Sequence, residues 1–311
     1  MKPFSLACLL AAAALVPAAP QNTQKSDPFT GQWDLVVTPR DAKDKAYPDW
    51  MEVGMSEGAP VVRIQPRGGS AFYAKLCKVQ GRHLSVQWGA DDITWELDLK
   101  GGKLVGFEKH GADSFAYLAG VRAPLLKRKP PKAWTVAQSI FNGKDLDGWI
   151  PTDPAAANHW MVKDSELVNE SKGANLMTGR TFDDFKLHIE FNCPDGGNSG
   201  IYLRGRYEVQ VEYEKVDAND RFHGIGSIYG MIAPAVELPR TPGKWETFDI
   251  TLVGRWVTVE RNGVKTIDNQ EIPGPTGGAL DSNEGEPGPF YLQGDHTGGM
   301  KYRNITIQLP K

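Results

Sequence analysis

One pattern limits this chain more than any other: apolar and polar residues alternate with a period of two, in short runs separated by turn residues. Phe185, Leu187, Ile189, Phe191 and Cys193 fall on one side of such a run, and Lys186, His188, Glu190 and Asn192 on the other. Successive side chains of a β-strand point to opposite faces, so the run reads as a strand with one face buried. Tyr207, Val209, Val211 and Tyr213 alternate with Glu208, Gln210, Glu212 and Glu214 in the same way. No long 3.6-residue periodicity accompanies these runs, so helices should be few and short. The predicted fold class is all-β.

The chain has 311 residues, room for two domains. Runs at 31–37, 59–65, 71–76, 83–88, 93–99, 103–110 and 114–119 predict a small antiparallel β domain over 27–127, a barrel or half-barrel. Lys100-Gly101-Gly102-Lys103 is its hairpin candidate. Residues 128–136 read as a linker: basic, solvated, and extended by Pro130-Pro131. The second β unit fills 137–311, with turns at Asn142-Gly143 and Asn262-Gly263. At the start, Lys2 precedes an apolar run from Leu6 to Val16, followed by small residues. This predicts a signal peptide over 1–19, too short to span a bilayer, and an exported protein, periplasmic or secreted. The net charge of −3 gives no electrostatic grip on nucleic acid or membrane. Oligomeric state is left open. Cys77 and Cys193 fall in different domains and read as buried free thiols.

Between the two alternating strands lies Asp195-Gly196-Gly197-Asn198-Ser199-Gly200-Ile201-Tyr202-Leu203-Arg204. Ile201 and Leu203 face one way, Tyr202 and Arg204 the other. If the flanking strands pair as neighbours, Glu190, Tyr202, Arg204, Glu208 and Gln210 form one floor. Carboxylates, amides and aromatics interleaved in this way suit sugar hydroxyls and ring faces. The competing reading is a solvated outer face, its acids paired with Arg204 and Arg206. Phe290 to His296 reads as a strand ending in a turn, where Asp295 could orient the His296 ring. Nucleotide-binding glycine loops, a Gly-x-Ser-x-Gly elbow and zinc-ligand spacing are all missing from the sequence. No cofactor is expected; a divalent metal held by carboxylates stays open.

An ordered series of blocks carries a resemblance. Ile140-Phe141-Asn142-Gly143-Lys144-Asp145-Leu146-Asp147-Gly148-Trp149 opens it and Trp160 to Leu167 follows, with Ser165 where glycine is usual. Phe182 to Phe191, Asn198 to Arg204, Tyr207 to Gln210 and Gly226 to Gly230 come next, then Leu292 to His296 and Tyr302 to Ile305. Together these resemble the 3-keto-disaccharide hydrolase family over roughly 137–311. Glu212-Tyr213-Glu214 departs from the family's pattern, and Tyr302 stands where phenylalanine is common. The resemblance implies a concanavalin A-like jelly-roll β-sandwich and a small-molecule sugar or glycoside substrate, oxidised at C3. It implies proton abstraction at C2, elimination at C1 and hydration. Glu190, Glu208 and His296 are the candidate catalytic residues. Asn198, Tyr202, Arg204, Gln210, Gln293 and Arg303 are the candidate substrate-binding residues, with Arg204 as enolate or hydroxyl partner. Two rivals remain: a two-carboxylate glycoside hydrolase, and a non-catalytic carbohydrate-binding module with a surface platform such as Trp256 or Tyr291.

Overall fold

A computed structural model describes residues 27–41, 43–89, 93–215 and 220–311, so the signal-peptide segment 1–19 lies outside the described residues. Among the described residues every regular element is a strand, and no helix is long and apolar enough to cross a membrane. The all-β class follows directly.

The first sheet holds β1 (Gly31–Pro39), β2 (Tyr47–Ser56), β3 (Ala59–Gln65), β4 (Phe72–Tyr73), β5 (Leu76–Gln80), β6 (His83–Trp88), β7 (Ile93–Lys100), β8 (Lys103–His110) and β9 (Asp113–Arg122). Their order is β4-β3-β2-β1-β9-β8-β7-β6-β5. The sheet curls until its edges nearly meet. Ala74 N donates to Val62 O at 2.8 Å on one side, and Lys75 N to Gln87 O at 2.9 Å on the other. Trp33, Leu35, Met51, Ile64, Val86, Trp95 and Leu97 fill the concave side. Lys100 pairs with Lys103 across Gly101 and Gly102, both at positive φ, the two-residue turn that matches strand twist. Two details differ from the sequence expectation. The run at 71–76 breaks into β4 and β5 at that closing edge. β2 is a full strand despite Pro48, Asp49 and Glu52, because Trp50, Met51 and Val53 still bury.

The second unit holds β10 (Gln138–Ser139), β11 (Trp149–Pro151), β12 (Trp160–Lys163), β13 (Glu166–Asn169), β14 (Leu176–Thr178), β15 (Phe185–Asn192), β16 (Asn198–Leu203), β17 (Tyr207–Glu212), β18 (Trp245–Val253), β19 (Trp256–Arg261), β20 (Val264–Glu271), β21 (Tyr291–Leu292) and β22 (Met300–Gln308). One sheet runs β12-β13-β22-β15-β18-β19-β20, with β10 on β22; the facing sheet runs β11-β14-β21-β16-β17. All pairings are antiparallel. Phe185, Leu187, Ile189 and Phe191 meet Ile201, Leu203, Val209 and Val211 in the core between them. This is a two-sheet sandwich, with alternation deciding which face of each strand turns inward.

The halves share more than a linker. Trp50 of β2 is fully buried within the sandwich's core cluster. A Cβ on Gly274 would collide with its indole, so that backbone must stay bare to admit the ring. Removing a buried aromatic costs about 3–5 kcal/mol, so this one side chain is a substantial tie. Arg128, read as part of a solvated linker, is half-buried and bonded to Asp183 (2.5 Å) and Asp184 (2.9 Å). Cys77 and Cys193 are free: Cys193 is buried, Cys77 only half-buried.

Candidate active site

The register of β16 and β17 sets Asn198 opposite Glu212, Gly200 opposite Gln210, and Tyr202 opposite Glu208. Ile201, Leu203, Val209 and Val211 face the core, so these polar residues share the other face. That face is not wet. Every residue of β17 is buried, because the first half lies over it. The segment 66–70, just after β3, reaches across: Gly278 N donates to Arg67 O (2.9 Å), and Gln65 Nε2 holds Gly69 O (2.8 Å). Ser70 hydrogen-bonds His223 of the second half.

Under this cover is a cavity of about 390 Å³, within the usual range for small-molecule sites. Its floor is Asn198, Tyr202, Glu208 and Gln210; its sides include Gln293, Asp295, His296 and Tyr229; Arg67, Gly68 and Gly69 come from the first half. A neighbouring cavity of about 470 Å³, bounded by Tyr213, Arg221 and Arg240, contains neither Glu208 nor His296.

Glu208 is 3% exposed. Burial, with the Asp295 charge adding, pushes its carboxyl up to about 8 against the opposing Tyr202 hydrogen bond. The contacts agree with a protonated acid. Tyr202 Oη lies 2.8 Å from Glu208 Oε2 and 2.8 Å from Gly277 O. A hydroxyl has one proton and a carbonyl can only accept. Both contacts are satisfied together when Tyr202 donates to Gly277 and Glu208 donates to Tyr202. Gln210, its amide oriented by its neighbours, donates to Glu208 Oε1 at 3.1 Å. The Tyr202 ring stacks on Tyr291 at 3.8 Å between centroids, and Tyr291 Oη donates to Gly278 O (2.5 Å). Glu208 fits only because Gly200 has no side chain; a Cβ there would strike its carboxylate.

His296 follows β21. Its Nδ1 meets Asp295 Oδ1 at 2.7 Å, and its ring is about half exposed. The Asp295 hydrogen bond raises the imidazole above its ordinary value against partial burial. Burial would raise Asp295, but His296 and Asn175 hold its carboxyl below the usual range. Asn175 Oδ1 also accepts from the Gly294 and Asp295 amides (2.7 and 3.2 Å), fixing the turn. His296 Nε2 has no protein partner among the described residues and is left to serve the cavity. Gln293 Oε1 is buried without a partner, an acceptor available to a ligand hydroxyl.

Six sequence candidates thus converge: Glu208, His296, Asn198, Tyr202, Gln210 and Gln293. Three do not. Glu190 sits on β15 in the opposite sheet, because the 193–197 turn carries the chain across the sandwich instead of to a neighbouring strand. Its carboxylate takes Arg303 Nε (2.7 Å) and Asn304 Nδ2 (2.6 Å), which hold it below the ordinary range despite partial burial. Arg303 stacks on Trp245 at 3.8 Å on that outer face, far from the floor in topology. Arg204 leaves the floor because β16 ends at Leu203; its φ of +51° breaks the alternation. Its fully buried guanidinium binds Asp183, Tyr207 Oη and Gly254 O. The expected pairing of the floor's acids with Arg204 and Arg206 is also replaced: Glu212 takes Arg240 (3.0 Å), and Arg206 takes Asp281 (2.8 Å). Tyr291 is 1% exposed and cannot be a surface platform. Among the described residues, no three His, Cys, Asp or Glu side chains group as a metal site.

Arg67, Tyr229 and the Gly277-Gly278 pair were not singled out from the sequence. Gly277 is the trace they leave there, since its backbone approaches that of Gly69 closely.

The model of the 3-keto-alpha-glucoside-1,2-lyase-like domain matches residues 136–308. Among solved structures, the chain is similar to a candidate glycosyl hydrolase from Parabacteroides distasonis. Identity is 28%, coverage 60% of this chain and 94% of that one, and the TM-score 0.48. A second candidate glycosyl hydrolase from that organism matches at 18% identity, 55% and 92% coverage, and TM-score 0.47. Porphyranase B from Zobellia galactanivorans matches at 10% identity, 60% and 99% coverage, and TM-score 0.36. No curated protein matches the chain significantly. A match over more than half of the chain, through the strands that build the cavity floor, places this protein in the 3-keto-alpha-glucoside-1,2-lyase-like domain family.

Proposed function

We propose that this protein is exported and cleaves 3-keto-glycosides, with Glu208 as general acid and His296 as general base. The observation that carries the reading is the pairing, in one covered cavity, of a buried carboxyl that burial pushes up to about 8 with an imidazole oriented by Asp295. The C2 proton of such a substrate lies α to the C3 carbonyl. Neutral His296 takes it through Nε2, leaving an enolate. The C1–O bond then breaks, and the Glu208 proton goes to the departing oxygen. Water adds to C1 of the resulting enone, returning a proton to Glu208 as His296 returns its own to C2. Atoms balance to net hydrolysis, and both residues end as they began. Asn198, Gln210 and Gln293 offer amides to hydroxyls, and Gln293 Oε1 has an unmet acceptor for one.

A hydrolase with two carboxylates flanking the bond is less well supported. Glu190 is engaged on the other sheet, and the cavity's second carboxylate, Asp295, is committed to His296. The test is incubation of the full chain with a 3-keto-disaccharide and its unoxidised parent. Cleavage of the keto form alone is expected, and E208Q should lower turnover by about 10²–10⁴-fold, the usual worth of a positioned acid. Cleavage of both substrates would replace this reading with ordinary glycoside hydrolysis. Saturable binding without turnover would replace it with a binding module.

A further inference from the structure

Proton abstraction at C2 leaves negative charge on the C3 oxygen until the C1–O bond breaks, in a cavity already lined by the Asp295 carboxylate. Such an oxyanion needs a donor or cation aimed at it. Arg204, the sequence candidate, is buried elsewhere. Among the described residues, Arg67 is the one permanently charged cation that lines the cavity. It comes from the other half of the chain.

Several features fix Arg67 there. Its carbonyl accepts from Gly278 N at 2.9 Å, so its backbone is tied to the cavity wall. Its guanidinium lies over the Tyr47 ring, 4.9 Å from the centroid. An aromatic face holds a cation without neutralising it. Among the described residues Arg67 forms no salt bridge, although its charge also reaches the buried Asp49 carboxyl, and the residue is exposed. Gln65 pins the following turn by donating to Pro66 O and Gly69 O, both at 2.8 Å. The first half thus brings to the cavity wall an exposed arginine with no salt bridge, at a site that lacks another permanent cation.

We propose that Arg67 stabilises the substrate oxyanion, so that the first β unit supplies a catalytic residue to the site on the second. This rests on the keto-glycosidase reading above. Arginine suits the role because its planar fork can donate two hydrogen bonds to an oxygen-rich edge and stays charged at any working pH.

The experiment compares the full chain with R67A and R67K, following cleavage of a 3-keto-disaccharide and, by NMR in D₂O, exchange of the C2 proton. Exchange reports enolate formation apart from cleavage. R67A should lose about 10²–10³-fold in kcat with a small change in KM, as when one oxyanion donor is removed. C2 exchange should fall with it, R67K should keep part of the rate, and added guanidinium ion should restore part of R67A activity. Thermal melts of the variants should match the wild type. Wild-type turnover with R67A equal to it would overturn the Arg67 role alone. A KM effect without a kcat effect, or a loss that follows melting temperature and resists guanidinium, would also overturn it, leaving Arg67 a wall residue. Wild-type protein that neither exchanges C2 nor cleaves would sink the keto-glycosidase reading and this inference with it.

Discussion

A carboxyl needs its proton at working pH to act as an acid, and an imidazole must have lost its own to act as a base. For Glu208, burial supplies the first condition by lifting the carboxyl to about 8. For His296, the Asp295 hydrogen bond raises the imidazole above its ordinary 6.5, so the second condition holds only at higher pH. Activity therefore requires pH above the His296 value and below that of Glu208. Expected is a narrow bell in kcat/KM, its rising limb starting above 6.5 and its falling limb near 8. An Asp295→Asn variant should move the rising limb to lower pH, because the charge that holds the imidazole's proton is gone. A falling limb near 5, typical of an ordinary carboxylate acid-base pair, would show that Glu208 is not the acid. Glu208, Tyr202 and Gln210 were legible in the sequence because period-two alternation puts them on one face, and no tertiary fact is needed for that. Glu190 was misread by the same rule, because alternation fixes the face of a strand but not which sheet the strand joins. The Arg204 error was local: the rule stops where φ turns positive, at Arg204 and at Gly205 after it, and that glycine is the only mark the turn leaves in the sequence.

The element that completes the cavity is the 66–70 segment, and it can close only against bare backbone. A Cβ on Gly277 would collide with Gly69 O. The obstacle is main chain on both sides, so no side chain can swing away. Gly277→Ala must then push the segment outward or shift the 276–279 wall, and overpacking of this kind costs typically about 1–3 kcal/mol. The Gly277 carbonyl is also the acceptor for Tyr202, so a shift disturbs the bond that satisfies protonated Glu208. G277A is expected to lower kcat/KM on a keto-disaccharide by 10-fold or more, in a chain that still melts cooperatively. A variant with unchanged kinetics would mean that the segment does not need its present position. Most strands here could be read from residues alone, since alternation and glycine turns mark them independently. β2 could not, because Pro48, Asp49 and Glu52 mask a run in which Met51 and Val53 bury in the first half's own core while Trp50 buries in the other half's. The cover over β16 and β17 was illegible for a related reason: polar residues on a buried face look the same as polar residues in water. Only the contact with the first half distinguishes the two.

At the scale of the whole molecule, the cavity lies on the joint between the two halves, so whatever holds the joint also holds the site. Beside the shared Trp50, the joint contains a buried polar cluster. Arg255 Nη2 takes Gln32 Oε1 of β1 at 2.9 Å, Arg255 Nη1 takes Glu284 Oε1 at 3.1 Å, and Ser282 Oγ donates to Leu35 O. Asp34 of β1 is 3% exposed within it. Burial, then the neighbouring Glu284, pushes the Asp34 carboxyl up to about 9, against the nearby Arg255 and Arg206. Two carboxyls that close cannot both be charged, and a proton on Asp34 lets it donate to Glu284. The folded chain therefore keeps a proton that the unfolded chain, with Asp34 near 3.8, has already released. The sign follows from linkage: this group's contribution is complete below about 4, falls as pH rises, and is gone once pH passes about 9. The slope is at most about 1.4 kcal/mol per pH unit for one proton. Asp34→Asn removes the proton but keeps a donor of the same shape. D34N should match the wild type in urea unfolding near pH 6 and lose less stability than the wild type between pH 6 and 9. If both lose stability in parallel, Asp34 is not the group that holds the proton. Because Trp50 and this cluster tie both cores together, the melt should be a single transition reported equally by both halves. If D34N flattens the slope, the alkaline loss belongs to the joint, and the cavity that the joint carries should open along with it.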